Sequence, residues 1–183
     1  MVSALQKRKL DLAFAHLDID GNGQIECDEI LALASRLLLS FRHTPASAKG
    51  RAALERHERL WDEIARHADA DADGAITYHE FHHGMTAAFI RPTGRAVMLR
   101  PAVQALIDIC DTDGDGLLDL TEFATMHRAF GTSRSDVRVA FAALDADGDG
   151  RLSADELTDA AWEFYTSPDP RARGNWFFGE LTR

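Results

Sequence analysis

Apolar positions recur along this chain at spacings of four and three, stop at an acidic stretch, and resume beyond it, four times over. The runs are Leu10, Phe14 and Leu17; Trp61, Ala65 and Ala68; Val103, Ile107 and Cys110; and Val137, Phe141 and Leu144. Such spacings place side chains on one face of a helix. Just past each acidic stretch, Ile30, Phe81, Phe123 and Leu157 open a second apolar run. The pattern predicts an all-α fold of four helix–loop–helix units. The second incoming helix has the thinnest stripe, with alanine where the other helices carry larger groups.

Local signals refine the limits. Residues 1–18 alternate bases with apolar positions and read as an amphipathic helix, with no apolar core or cleavage site of a signal peptide. Thr77 and Ser153 stand three residues before Glu80 and Glu156, the spacing of a capping box at the start of each outgoing helix. Loop starts are 51, 42 and 34 residues apart, so the first gap holds an insertion. Thr44–Pro45 reads there as an N-cap followed by proline in the first turn of a long helix. Its bases alternate with Glu55, Glu58, Asp62 and Glu63, as on a solvated face rather than a nucleic-acid patch. Pro92–Thr93–Gly94 predicts a turn between halves, and Gly131–Thr132–Ser133 a stop and restart. The last segment, 167–183, carries Trp176, Phe177 and Phe178 and is too apolar to float in solvent, so it is expected to fold onto the domain.

The acidic stretches are one twelve-residue loop in four copies: DIDGNGQIECDE, DADADGAITYHE, DTDGDGLLDLTE and DADGDGRLSADE. Each has Asp at positions 1 and 3, Asp or Asn at 5, Gly at 6, Ile or Leu at 8 and Glu at 12. A hard divalent cation such as Ca²⁺ takes about six to eight oxygens, and alternating side chains around a sharp glycine bend supply them. The expected side-chain ligands are Asp18, Asp20, Asn22 and Glu29 in loop 1, and Asp69, Asp71, Asp73 and Glu80 in loop 2. Loop 3 offers Asp111, Asp113, Asp115 and Glu122, and loop 4 Asp145, Asp147, Asp149 and Glu156. Position 7 gives a backbone carbonyl, so Gln24, Ala75, Leu117 and Arg151 are free to differ. The apolar residues at position 8, Ile25, Ile76, Leu118 and Leu152, are expected to pair between loops as short β-bridges, joining four units into two pairs. The acids at position 9 of loops 1 and 3, Glu26 and Asp119, rank those sites higher in affinity and make them the places where Mg²⁺ competes best.

The formal net charge is −10, yet the loops hold five, four, five and five of the 30 acids against one base, Arg151. The acidity belongs to the loops, and four Ca²⁺ ions would cancel most of the chain's net charge. Without metal, each loop crowds carboxylates together, so metal binding is expected to stabilise the fold. Hydrophobic content of 45% provides for a packed core. No apolar run is long enough to span a membrane, and neither membrane nor nucleic-acid binding is expected. Cys27 and Cys110 show no zinc or disulfide spacing and read as reduced thiols in a cytoplasmic protein.

His79–Glu80–Phe81–His82–His83 fits the H-E-x-x-H pattern of zinc proteases. Glu80, however, already completes a calcium loop, and no third zinc ligand is evident. No nucleophile elbow, phosphate loop or redox cysteine pair occurs, so no enzyme is expected.

The four loops identify the chain as similar to the EF-hand superfamily, with a compact calmodulin-superfamily-like domain. The long first spacing and the ending GNWFFGEL resemble the sarcoplasmic calcium-binding proteins and the bacterial calerythrin-like proteins. Members often carry one or two degenerate hands; this chain has none by sequence. The resemblance implies that segment 167–183 covers the apolar cleft between an N-terminal pair of hands, residues 1–91, and a C-terminal pair, residues 95–183. It also implies calcium buffering or transport by a monomer. The alternative is a sensor that exposes an apolar groove to a target protein. The chain favours the buffer, because interior methionines are few (Met85, Met98 and Met126) and an aromatic tail is available to fill a groove.

Overall fold

A computed structural model describes residues 3–90, 95–131 and 134–179. Helix α1 (Ala4–Leu17) opens on a capping box, Ser3 Oγ accepting from Gln6 N at 3.1 Å and Gln6 Oε1 from Ser3 N at 2.9 Å. Strand β1 (Gln24–Glu26) leads into α2 (Cys27–Ser40), and α3 (Ala48–Ala68) is the long helix of the insertion. Strand β2 (Ala75–Thr77) and α4 (Tyr78–Ile90) complete the second unit. A π-helical turn at Arg95–Leu99 runs into α5 (Arg100–Cys110), followed by α6 (Leu120–Ala129), α7 (Arg134–Leu144), α8 (Ala154–Thr166) and a 3₁₀ turn at Arg173–Trp176. The expected turn at Pro92–Thr93–Gly94 lies outside the described residues. So do Thr132 and Ser133, although Gly131 stands at φ +80 just after α6.

The long helix begins later than Thr44–Pro45 suggests. Ser47 is the N-cap, its hydroxyl accepting from Gly50 N at 3.0 Å. Thr44 instead closes a turn, its carbonyl accepting from Ser47 N at 3.0 Å and Ser47 Oγ at 2.7 Å. That turn lies directly over Gly50, where a Cβ would meet the Thr44 carbonyl oxygen at 2.1 Å. Two serine/threonine positions can cap this helix, and the backbone's need to fold over Gly50 selects the second. Two of the insertion's bases, Arg56 at 46% exposure and half-buried Lys49, also reach α5. Arg56 pairs with Asp108 at 2.6 Å, and Lys49 donates to the Asp111 carbonyl at 3.0 Å, both fastening α3 to α5.

The position-8 residues pair as expected. Ile25 faces Ile76 in an antiparallel two-stranded sheet, and Leu118 faces Leu152 in an isolated bridge. All four are almost wholly buried. An aromatic contact repeats in each pair of hands: Phe14 meets Phe81 edge-on at 5.5 Å, and Phe141 meets Phe123 at 5.6 Å. In both cases the residue four before one loop touches the residue just after its partner loop. The thin stripe on α3 also has a reason. A Cβ at Gly84 would come within 3.0 Å of Ala68 Cα, so small residues let α4 lie close on α3.

Two hydrophobic clusters fill the interior, and each draws on both halves of the chain. One joins Leu33, Leu37 and Leu38 of α2, and Phe41 just after it, to Val103, Phe123, Val137 and Phe141. The other joins Leu10, Phe14, Trp61 and Phe81 to Ala161 and Phe164 of α8. Tail residue Phe177 packs against both clusters, Trp176 against the first and Phe178 against the second. The tail can approach because Gly174 lies on α8, where a Cβ would stand 2.4 Å from the Ala160 carbonyl oxygen. No helix among the described residues is long and apolar enough to cross a membrane.

Candidate metal centres

Each loop folds around the same set of hydrogen bonds. The position-6 amide donates to the position-1 carboxylate: Gly23 to Asp18 at 3.0 Å, Gly74 to Asp69 at 3.0 Å, Gly116 to Asp111 at 2.9 Å and Gly150 to Asp145 at 3.0 Å. These glycines have φ between +81 and +92, a region that a Cβ disfavours. The position-7 amides of Gln24, Ala75, Leu117 and Arg151 donate to Oδ1 of Asn22, Asp73, Asp115 and Asp149 at 2.8–2.9 Å. The glutamate at position 12 spans its loop from end to end. Glu29 accepts from Ile19 N at 2.6 Å and Glu26 N at 3.0 Å, and Glu122 from Thr112 N at 2.7 Å and Asp119 N at 3.0 Å. Glu80 and Glu156 accept from Ala70 and Thr77, and from Ala146 and Ser153, at 2.8–2.9 Å.

These bonds aim oxygens inward. In loops 1, 3 and 4, positions 1, 3 and 12 bring carboxylate oxygens within 4.8 Å of one another: Asp18, Asp20 and Glu29; Asp111, Asp113 and Glu122; Asp145, Asp147 and Glu156. Loop 2 brings together Asp69, Asp71 and Asp73 instead. Glu80, Asp115 and Asp149 lie in the same loops, outside these trios. The donor set is all oxygen, as a hard divalent cation requires. Asp18 Oδ1 and Asp69 Oδ1 are buried without a hydrogen-bond partner in the structure. Buried carboxylate oxygens left unpaired call for a cation, so the residues fit calcium. The ion would supply the counter-charge that these loops concentrate.

Electrostatics favours ionised ligands. The Thr77 hydroxyl, with the Thr77 and Ala70 amides, holds the Glu80 carboxyl down at about 2. Burial pushes Glu156 up, but the amide and hydroxyl of Ser153 and the Ala146 amide outweigh it and hold the group below the usual range.

Several features escape the sequence pattern. Ala72 takes position 4 of loop 2 at φ +58, where the other loops have glycine. Asp119 serves as N-cap of α6, its Oδ1 accepting from Thr121 N at 2.7 Å and Glu122 N at 2.8 Å, so that oxygen is committed to the helix. Thr112 Oγ1 adds a bond to Glu122 at 2.6 Å. The histidines of the H-E-x-x-H stretch form no metal-holding cluster among the described residues. His82 Nε2 instead lies 3.0 Å from Asp11 Oδ1 of α1. Cys27 and Cys110 are free thiols, and burial raises the pKa of both.

Between the clusters lies a cavity of about 170 Å³, lined by Leu33, Phe81, Met85, Val103, Phe177 and other apolar residues. His57 and Tyr165 are the polar side chains of its lining; His57 donates through Nδ1 to the Ala53 carbonyl at 2.8 Å, with burial keeping the ring neutral to lower pH than usual.

Comparison with known proteins agrees with this geometry. The EF-hand domain pair matches residues 7–86 and 66–128, and a further EF hand matches 137–159. Calerythrin of Saccharopolyspora erythraea is 30% identical over 168 residues, covering 90% of this chain and 94% of that protein. Obelin of Obelia geniculata is 31% identical, covering 88% and 84%. A calcium-binding protein of Streptomyces coelicolor, described in a study of prokaryotic calcium-mediated regulation, superposes at TM-score 0.78 with 32% identity, covering 90% of this chain and 99% of that one. The Ca²⁺-regulated photoprotein mitrocomin of the jellyfish Mitrocoma cellularia superposes at 0.71 with 28% identity, covering 90% and 84%. The chain belongs to the EF-hand family of calcium-binding proteins.

Proposed function

We propose that this protein is a monomeric cytoplasmic calcium buffer that takes up to four Ca²⁺ ions. Positions 1, 3, 5 and 12 of each loop supply side-chain oxygens, position 7 supplies a carbonyl, and Mg²⁺ competes chiefly at loops 1 and 3. The observation that carries the buffer reading is the tail. Phe177 packs on both clusters, which supports a tail that covers part of the apolar interior a sensor would present to a target. Two measurements test it. Each of Glu29→Gln, Glu80→Gln, Glu122→Gln and Glu156→Gln is expected to weaken one site at least tenfold, about 1.4 kcal/mol, and to leave the fold recoverable at high calcium. A hydrophobic dye is expected to bind mainly to the calcium-stripped protein, whose carboxylates repel one another. Dye bound mainly to the loaded protein would identify a sensor with a detachable tail.

A second reading rests on the cavity. It is apolar, sits between the two clusters and has one neutral histidine, which suits a small aromatic ligand. One of the relatives above, mitrocomin, is a Ca²⁺-regulated photoprotein, which is why the interior merits a direct test. Calorimetric titration with 1-naphthol is expected to show saturable binding that Met85→Trp abolishes; no heat with the native protein would leave the buffer as the sole reading.

A further inference from the structure

Position 7 carries Gln24, Ala75, Leu117 and Arg151, and only loop 4 places a cation there. The Arg151 side chain leaves its own loop: its Nη1 pairs with Asp115 Oδ2, at position 5 of loop 3. Its base is fixed by the clamp next door, where Leu118 N donates to the Leu152 carbonyl at 2.9 Å and Leu152 N to the Leu118 carbonyl at 2.8 Å. Asp115 Oδ1 accepts from the Leu117 amide at 2.8 Å, as the position-5 oxygen does in every loop, and the guanidinium sits on the other oxygen of that carboxylate. Among the described residues, no ion pair reaches the equivalent Asn22, Asp73 or Asp149.

We propose that Arg151 sets the calcium affinity of the neighbouring loop: its guanidinium competes for Asp115 and holds site 3 below the affinity its own acids would give. The proposal rests on loop 3 being a calcium site. A calcium ion drawn to Asp115 must share that carboxylate with a fixed positive charge or displace it. In either case binding loses Coulomb energy that loops 1, 2 and 4 keep. The side chains of Arg151 and Asp115 are 48% and 30% exposed, so solvent screens the interaction and the effect is moderate. Residue 151 thus serves two sites, its carbonyl in loop 4 and its side chain in loop 3. A side-chain substitution therefore isolates the effect on site 3.

The test is a calcium titration followed by amide NMR. Gly116 N and Gly150 N donate to Asp111 and Asp145 in their own loops, so their resonances read sites 3 and 4 separately. Arg151→Gln is expected to tighten the response of Gly116 roughly three- to tenfold at low salt, to leave Gly150 within about twofold, and to lose its advantage in 1 M KCl. An unchanged or weakened Gly116 response in Arg151→Gln, with a normal response in the native protein, overturns the proposal alone. If Glu122→Gln does not alter the Gly116 response, loop 3 is not a calcium site, and the assignment falls together with the proposal.

Discussion

Lys9 Nζ donates to the Ser167 carbonyl at 2.9 Å, from a side chain with no solvent exposure. Beside it, Gln6 Nε2 donates to the Thr166 carbonyl at 2.8 Å. Helix α1 of the first hand therefore caps the open C-terminal carbonyls of α8 in the last. Burial lowers the Lys9 pKa, while Glu163 and Asp169 oppose the shift and help keep the ammonium charged. Its position over the Phe164 ring at 5.7 Å adds a favourable contact.

Lys9→Met keeps the stem and removes the donor, leaving a carbonyl unpaired. It is expected to cost about 1–2 kcal/mol in urea unfolding. Lys9→Ala is expected to cost more, since the packed stem goes too. A methionine variant as stable as the native protein would show that the α1–α8 bond contributes nothing.

Ala72 at φ +58 bears strain that the other loops avoid with glycine. Left-handed backbone costs a non-glycine residue about 1–2 kcal/mol, offset in part by the greater freedom of glycine in the unfolded chain. Ala72→Gly is expected to stabilise the protein by up to about 1 kcal/mol. It should also tighten binding at site 2 alone, as read from the Gly74 amide. Lower stability, or an effect spread over all sites, would count against local strain.

The amphipathic runs and the loops are legible in the sequence because period is a local property, and the pairing of Ile25 with Ile76 because both stand at position 8 of a repeated loop. The carboxylate trio of each loop is legible for the same reason, since its members lie within twelve residues. What escapes is decided across space. Arg151 reads as a surface residue with an irrelevant side chain until the Leu118–Leu152 bridge brings loop 3 beside it. Ser47 wins over Thr44 as a cap through a backbone approach at Gly50 that no propensity encodes. Lys9 looks like a solvated base on α1 and is wholly buried, because α8 ends where its stem lies.

His127 gives the protein an acid-sensitive core. Its ring lies 4.2 Å from that of Phe123, it is 2% exposed, and Nδ1 has no hydrogen-bond partner. Burial, with a contribution from the charge of His16, lowers its pKa to about 4. The unfolded chain binds this proton near pH 6.5 and the native state does not, so stability is complete above about 6.5. It declines as pH falls towards 4, by a total on the order of 3 kcal/mol. His127→Phe removes the titrating group and is expected to flatten that part of the curve, measured as the difference between variant and native protein in calcium-free urea melts. The carboxylates common to both cancel in that difference. Parallel curves from pH 7.5 to 4.5 would exclude the role of His127.

The tail's closure depends on Gly174. A Cβ there would stand 2.4 Å from the Ala160 carbonyl oxygen and 2.5 Å from Phe164 N, both main-chain atoms of α8 that cannot move aside. The Gly174 amide also donates to Glu163 Oε2 at 2.8 Å, which fixes the segment's approach. Gly174→Ala must therefore lift the 3₁₀ turn and, with it, Phe177 and Phe178. The expected loss is about 1–3 kcal/mol, the usual cost of forcing atoms into filled space. The loaded variant is also expected to bind a hydrophobic dye that the loaded native protein excludes. Glu163→Gln keeps the tail's shape but weakens one hydrogen bond, so it should lose about 1 kcal/mol and still exclude the dye. If Gly174→Ala loses stability without admitting dye, the tail can tilt and still seal, and the aromatic pair rather than the glycine holds the interior closed.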